Sequence, residues 1–389
     1  MESFIIQGPT MIDHRSVWNN GYIYVKHGKI ADVGKDLTSQ QLKGVKRYRL
    51  DESSVLLPGF IDLHIHGGYG MDVMDGTDEV FTRLGKRLPE EGTTSYVATT
   101  MTSSAEQISR VLHKAATYEE ESRAATLLGV HLEGPFLSES KRGAQPFAHL
   151  QLPSITLYET FQRLAQGKIK IVTLAPELTG AAQLHRQLQQ ENVRTSIGHS
   201  NATYEDVLAF LELEKGEVNV THLFNGMSGF HHREPGVVGA ALSHERLMSE
   251  LIVDGHHVHE GAVRGAYRAI GPKQLILITD AMRAKGMSDG SYELGGQRVV
   301  VSNGQARLED GTLAGSVLKM NDVVDKMRSI TGATWQEIVR MTSYNAAKSL
   351  QMTTTKGSLA KNCDADFVIY QNDQLSETWC GGYQVYKRC

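Results

Sequence analysis

Polar and apolar positions along the chain fall into two rhythms. Up to residue 57, short alternating runs at Ser3 to Ile6, Tyr22 to Lys26 and Ile30 to Val33 are separated by turn signals at Asn20-Gly21 and Gly28. This predicts a small antiparallel sheet. From residue 58 the rhythm becomes apolar run, loop and amphipathic stretch, repeated. The apolar runs are Phe60 to Ile65, Thr94 to Thr100, Leu127 to Leu132, Lys170 to Ala175, Arg194 to Ile197, Val218 to His222, Leu251 to Asp254 and Gln274 to Thr279. Helical periodicity marks Ala105 to Glu121, Gly180 to Glu191, Tyr204 to Glu214, Gly261 to Ile270, Asn321 to Ile330 and Trp335 to Ser349, among others. Eight such units predict an α/β fold, a (β/α)8 TIM-type barrel over residues 58–356. A doubly wound open sheet is the alternative, but no G-x-G-x-x-G follows the first strand.

The β pattern returns at Gln297 to Val301 and Gln305 to Leu308, with turns at Asn303-Gly304 and Asp310-Gly311. A β-hairpin inserted over residues 288–315 is expected there. The tail, residues 357–389, is strand-like and strongest at Ala365 to Tyr370. Together with residues 1–57 it should complete a small discontinuous β-sandwich domain built from both termini.

Composition narrows the classes. With 389 residues, 40% of them hydrophobic, the chain can bury a large core. A formal net charge of -4 offers no electrostatic case for nucleic acid or an anionic membrane. No basic region and apolar run follow Met1-Glu2, and no stretch approaches a membrane span, so a cytoplasmic protein is expected. Cys363, Cys380 and Cys389 lack C-x-x-C spacing and are read as reduced thiols.

Six polar residues interrupt the apolar strands, and all fall at strand ends. His64 and His66 lie two apart, on one face of the first strand, between a Pro-Gly break and a Gly-Gly loop. Glu133 follows the third strand in HLEGP, His199 the fifth in SIGHS, His222 the sixth in THLFNGM and Asp280 the eighth in LITDAM. That rim of a barrel is where such folds carry their chemistry. Imidazole and carboxylate suit a borderline divalent ion such as Zn²⁺ or Fe²⁺, and six ligands exceed one tetrahedral site with an open position. They match two divalent metal ions sharing a carboxylate, for which Glu133 is the natural bridge. An isolated histidine at a strand end more often packs than ligates; the joint spacing decides otherwise here. His131 shares a face with Glu133 and is read as core. His113, His149, His185 and His244 fall in helices or loops and are read as solvated or packing residues.

These motifs, PGFIDLHIHGG from residue 58, HLEGPF, APE at 175–177, GHSNA, THLFNGM, REPG at 233–236, DGHH and LITDAM, run in order along nearly the whole chain. The sequence resembles the N-acetylglucosamine-6-phosphate deacetylases of the amidohydrolase superfamily. The resemblance implies that His64 and His66 hold one ion and His199 and His222 the other, with Glu133 between them. It makes Asp280 both a ligand and the catalytic acid/base. It implies a substrate site of Asn225 and Gly226 at the sugar phosphate, His257 at the sugar, Ala144 and Gln145 near the acetyl group, and Leu313, Ala314, Gly315 and Ser316 closing over it. Arg233 would pair with the phosphate from the neighbouring subunit, which implies a homodimer. Relatives often carry histidine where this chain has Gln145, and glutamine can donate a hydrogen bond to a carbonyl oxygen but cannot protonate it.

The resemblance leaves substrates close to one another in chemistry: the galacto epimer, or a cyclic amide. Cyclic-amide relatives bridge their metals with a modified lysine, whereas the matching strand here offers Glu133. A non-catalytic barrel would lose ligands, and this chain keeps all six.

Overall fold

The computed structural model describes residues 3–37 and 44–388. Cys389 and the first two residues lie outside that range. Eight parallel strands follow one another in the sheet in chain order: Phe60–Ile65, Thr93–Thr99, Thr126–Glu133, Ile169–Leu174, Arg194–Ile197, Val218–Val220, Leu247–Ile252 and Leu275–Ile278. The sheet closes on itself beyond the eighth strand, where Asp280 N–H donates to the His64 carbonyl (2.9 Å) and His66 N–H to the Ala281 carbonyl (2.9 Å). A doubly wound open sheet is thereby excluded.

The connecting helices follow from periodicity and caps. In Ala105–Thr117 the buried residues Ile108, Val111, Leu112 and Ala115 form one stripe, and the Ser104 hydroxyl accepts the Gln107 N–H. The segment from Trp335 opens on a Thr334/Glu337 capping box, but its middle turn, Arg340–Tyr344, widens to a π-helix. In Gly236–Ser243 the first six residues are all small or apolar and buried, so no amphipathic stripe betrays it.

Three expectations need correction. The seventh strand starts at Leu247, not Leu251, because Ser249 and Glu250 are polar yet fully buried inside the barrel. The sixth ends at Val220, before His222. The insertion is a three-stranded antiparallel sheet, Gly290–Leu294, Gln297–Ser302 and Gln305–Arg307, whose first strand is short and largely exposed, with only Tyr292 and Leu294 turned inward. Its Asn303-Gly304 turn has positive φ at both residues (51° and 75°), the geometry a two-residue hairpin prefers.

The termini interleave in the six-stranded sheet, where Phe367–Gln371 pairs antiparallel with Val55–Pro58 and the latter runs parallel to Thr10–Ile12. A four-stranded sheet built on Phe4–Gln7 faces it across a second core containing Ile6, Met11, Ile23, Val25, Leu56, Phe367 and Trp379. Cys363 and Cys380 are buried free thiols.

One buried ion pair fixes the chain beyond the eighth strand. Lys285 Nζ lies 2.6 Å from Glu91 Oε1, both side chains fully buried, and the other Glu91 oxygen accepts the Met320 N–H at 3.0 Å. Breaking a pair of this kind leaves an uncompensated charge in the core. The pair thus ties the segment carrying Asp280 to the turn that precedes the second strand.

Candidate metal centre

The six polar strand-end residues meet at the C-terminal mouth of the barrel. His199, His222 and Asp280 each follow the end of a strand by two residues and have positive φ, 46°, 31° and 49°. The backbone turns sharply at each of them, a conformation uncommon for residues other than glycine and one that clusters at functional sites. Gly226 shows the same crowding from the opposite side: with φ 57°, a Cβ there would lie 2.9 Å from His199 Nδ1, so no side chain fits.

Glu133 sits at the centre, almost fully buried. Its Oε2 faces the first pair, 3.2 Å from His66 Nε2 and 3.6 Å from His64 Nε2. Its Oε1 faces the second pair, 3.2 Å from His199 Nε2 and 3.0 Å from His222 Nε2. Within each pair the Nε2 atoms are 3.2 Å (His64 and His66) and 3.1 Å (His199 and His222) apart. Asp280 Oδ1 lies 3.4 Å from His64 Nε2 and 3.3 Å from His66 Nε2.

This donor set fits two divalent ions. Bonds of about 2.0–2.1 Å to a tetrahedral ion put neighbouring ligand atoms about 3.3 Å apart, the spacing found in each half of the cluster. The far nitrogens reinforce the fit. His64 Nδ1 is 3.0 Å from Glu250 Oε2, His66 Nδ1 3.2 Å from the Thr99 carbonyl and His199 Nδ1 2.8 Å from the Lys141 carbonyl. An acceptor behind Nδ1 keeps the proton there and turns the Nε2 lone pair toward Glu133.

The first imidazole pair holds protons firmly. Burial pushes His66 down, but hydrogen bonds and charge from Asp280 and Glu133 outweigh it and lift the imidazole to about 9. Burial likewise pushes Asp280 up, while the charge on His64 and the hydrogen bond with His66 draw it down to about 2. Below about pH 9 a metal must therefore displace a proton from His66. Affinity for a divalent ion is expected to rise with pH by up to about tenfold per unit for each displaced proton, and to level off above about pH 9. Calorimetry in two buffers of different ionisation enthalpy reads the released protons; affinity independent of pH below that point would contradict the arrangement.

The cluster opens into a cavity of about 200 Å³ bordered by His66, Met101, Glu133, Gly143, Ala144, Gln145, His199, His222, Asn225, Gly226, His257, Asp280, Leu294, Thr312, Leu313 and Gly315. His64 lies beneath it. Ala314 and Ser316 point away: Ala314 is fully buried, while Ser316 donates its N–H to the Asp280 carbonyl (2.7 Å) and its hydroxyl to that of Thr279 (2.6 Å), bracing the aspartate. Asn225 uses its donors in its own turn, the side-chain nitrogen reaching the carbonyls of His222 and Leu223. Gln145 is held at both ends, its oxygen accepting Thr102 N–H (2.8 Å) and its nitrogen donating to Glu133 Oε2 (3.0 Å). Arg233 is exposed, contacts His232 and does not border this cavity.

His131 packs its ring against His64 and bonds Thr173 Oγ1 at 2.6 Å, a core role. Sequence reasoning missed Glu250 and Asp254. Asp254 accepts His257 Nδ1 at 2.6 Å and the N–H groups of His256 and His257, and is drawn down to about 2 against its burial by His257. The Asp-x-x-His spacing in DGHH was the available signal for it. Among the described residues no helix is long and apolar enough to cross a membrane.

Comparison with known proteins identifies the family. Residues 55–385 match the amidohydrolase family. The chain is 45% identical over 386 residues to N-acetylglucosamine-6-phosphate deacetylase of Bacillus subtilis (strain 168), covering 98% of this chain and 96% of that protein. It is 37% identical over 333 residues to N-acetylgalactosamine-6-phosphate deacetylase of Escherichia coli O157:H7, covering 85% and 88%. Among solved structures, a mutant N-acetyl-D-glucosamine-6-phosphate deacetylase of Mycobacterium smegmatis in complex with N-acetyl-D-glucosamine-6-phosphate superposes with a TM-score of 0.90 at 29% identity, over 99% of this chain and 100% of that one. The corresponding Thermotoga maritima enzyme gives 0.88 at 33% identity, over 99% and 100%.

Proposed function

Because the chain belongs to the amidohydrolase family, we propose that it hydrolyses the acetamide of N-acetyl-D-glucosamine 6-phosphate, giving D-glucosamine 6-phosphate and acetate, with two divalent ions, zinc or ferrous iron. The observation that carries this reading is the convergence of four imidazoles and two carboxylates on one cavity, in a chain 45% identical to a deacetylase of that substrate. Amino-sugar catabolism or cell-wall recycling, in the cytoplasm, is the setting that fits.

His64 and His66 would hold one ion, His199 and His222 the other, and Glu133 both. Such ions lower the pKa of water and polarise a carbonyl oxygen. The chain's own residues do the rest. Asp280, ionised and lying beside the first pair at the cavity wall, takes a proton from the attacking water and returns it to the amide nitrogen. The nitrogen must leave protonated, since an amide anion is a very poor leaving group. Burial opposes the charged form of His257, but Asp254 raises its pKa and turns its Nε2 toward the sugar. Asn225 and Gly226 border the phosphate end, and Leu313 and Gly315 cover the sugar. Gln145, engaged with Glu133, acts on the acetyl group through that carboxylate's placement. Binding energy at the phosphate orients the amide.

Arg233 lies outside its own cavity, which supports a homodimer in which it reaches the neighbouring site. Arg233→Ala and Asp280→Asn chains, each inactive alone, are expected to recover roughly a quarter of wild-type activity when refolded together, because half of the dimers are hybrids with one intact site each. No recovery would place Arg233 on its own subunit's site or outside the reaction.

The substrate assignment is tested by acetate release from N-acetylglucosamine 6-phosphate, its galacto epimer and the unphosphorylated sugar. A clear kcat/KM preference for the phosphorylated gluco sugar is expected. Preference for the epimer would align the chain with its Escherichia coli relative, and equal use of the unphosphorylated sugar would remove the phosphate site.

A further inference from the structure

Glu250 lies in the middle of the seventh strand, its side chain fully buried inside the barrel beneath the metal centre. Its Oε2 stands 3.0 Å from His64 Nδ1 and also accepts the His222 N–H at 3.3 Å. Its Oε1 is buried with no hydrogen-bond partner among the described residues. Nothing in the proposed reaction uses this carboxylate, and it does not border the cavity. Of the four imidazoles, His64 alone has an anionic side chain behind Nδ1: His66 and His199 have backbone carbonyls, and His222 Nδ1 has no partner among the described residues.

We infer that Glu250 is a positioning residue that makes the His64 and His66 half of the centre the tighter metal site. A carboxylate behind an imidazole fixes the ring's orientation, keeps the proton on Nδ1 and makes Nε2 a stronger donor, whereas a carbonyl fixes the ring with less charge. In the metal-free protein Glu250 still accepts from two buried donors, His64 Nδ1 and the His222 N–H, so it supports the fold as well; with one orphan oxygen, its charge gains most when a cation is bound through His64. A purely structural tie between the first and sixth strands would stabilise both forms alike.

The inference rests on the two-ion reading, and the experiment separates the two. Metal affinities of the wild type, Glu250→Gln and Glu250→Leu are measured by chelator competition, with melting temperatures recorded with and without Zn²⁺. Glutamine keeps an acceptor for His64 Nδ1 but removes the charge, so affinity for the first ion should fall about tenfold; leucine removes both, for a loss of about 100-fold. Loss of the buried acceptor should lower the melting temperature of metal-free Glu250→Leu somewhat, and the shortfall of both variants should be clearly larger with Zn²⁺ than without it. Unchanged affinities, or equal losses of melting temperature with and without Zn²⁺, would overturn the role of Glu250 and leave the centre standing. A wild type that binds no divalent ion would overturn the centre itself.

Discussion

Asp280→Asn protein is expected to bind two metal ions per chain and to turn over N-acetylglucosamine 6-phosphate slower by roughly 10³-fold or more. One side chain has two separable functions here. As a ligand, Asp280 is one of six, at 3.3–3.4 Å from the first imidazole pair, and asparagine retains an oxygen in the same place. As the proton carrier it has no substitute: an amide accepts no proton at neutral pH and returns none to the nitrogen. Its brace through Ser316 is backbone-mediated and survives the change. Metal analysis beside acetate release reads both halves, and a variant within tenfold of wild type would remove Asp280 from the reaction.

Glu133→Gln should behave in the opposite way. Both oxygens of Glu133 are committed, one to each imidazole pair; burial pushes its pKa up, but the His64 charge and hydrogen bonds from His199 and His222 hold it well below the usual carboxylate range. A glutamine of the same shape offers one oxygen and an NH₂ group, so one half of the cluster faces a donor where it needs a ligand. Metal content is expected to fall to about one ion per chain, and activity with it by roughly 10³-fold. Two ions retained by Glu133→Gln would rule out a bridging carboxylate. The pair of variants thus distinguishes loss of chemistry with metal present from loss of chemistry through loss of metal.

Much of this centre is legible in the sequence because barrel strands are apolar, so that a histidine or carboxylate at a strand end stands out. His64, His66, Glu133, His199, His222 and Asp280 all announce themselves in that way, and all six converge. Glu250 did not, although it touches His64: its partner is 186 positions away, and its charge inside an apolar run made the seventh strand look shorter than it is. The first strand of the insertion was hidden for the converse reason, since a short, exposed edge strand offers only Tyr292 and Leu294 as apolar positions. Gln145 could be placed near the site by resemblance, but its grip on Glu133 and Thr102 is a matter of three dimensions. Arg233 shows the limit most plainly: only the resemblance marked it, and it is exposed and does not border the cavity.

The most direct test of the account is to strip the protein of metal with a chelator, return Zn²⁺ or Fe²⁺ in counted equivalents, and follow acetate release from N-acetylglucosamine 6-phosphate. Metal-free protein is expected to show no turnover, with recovery complete at about two ions per chain. Full activity from protein shown to be free of metal would rule out a metal-dependent reaction.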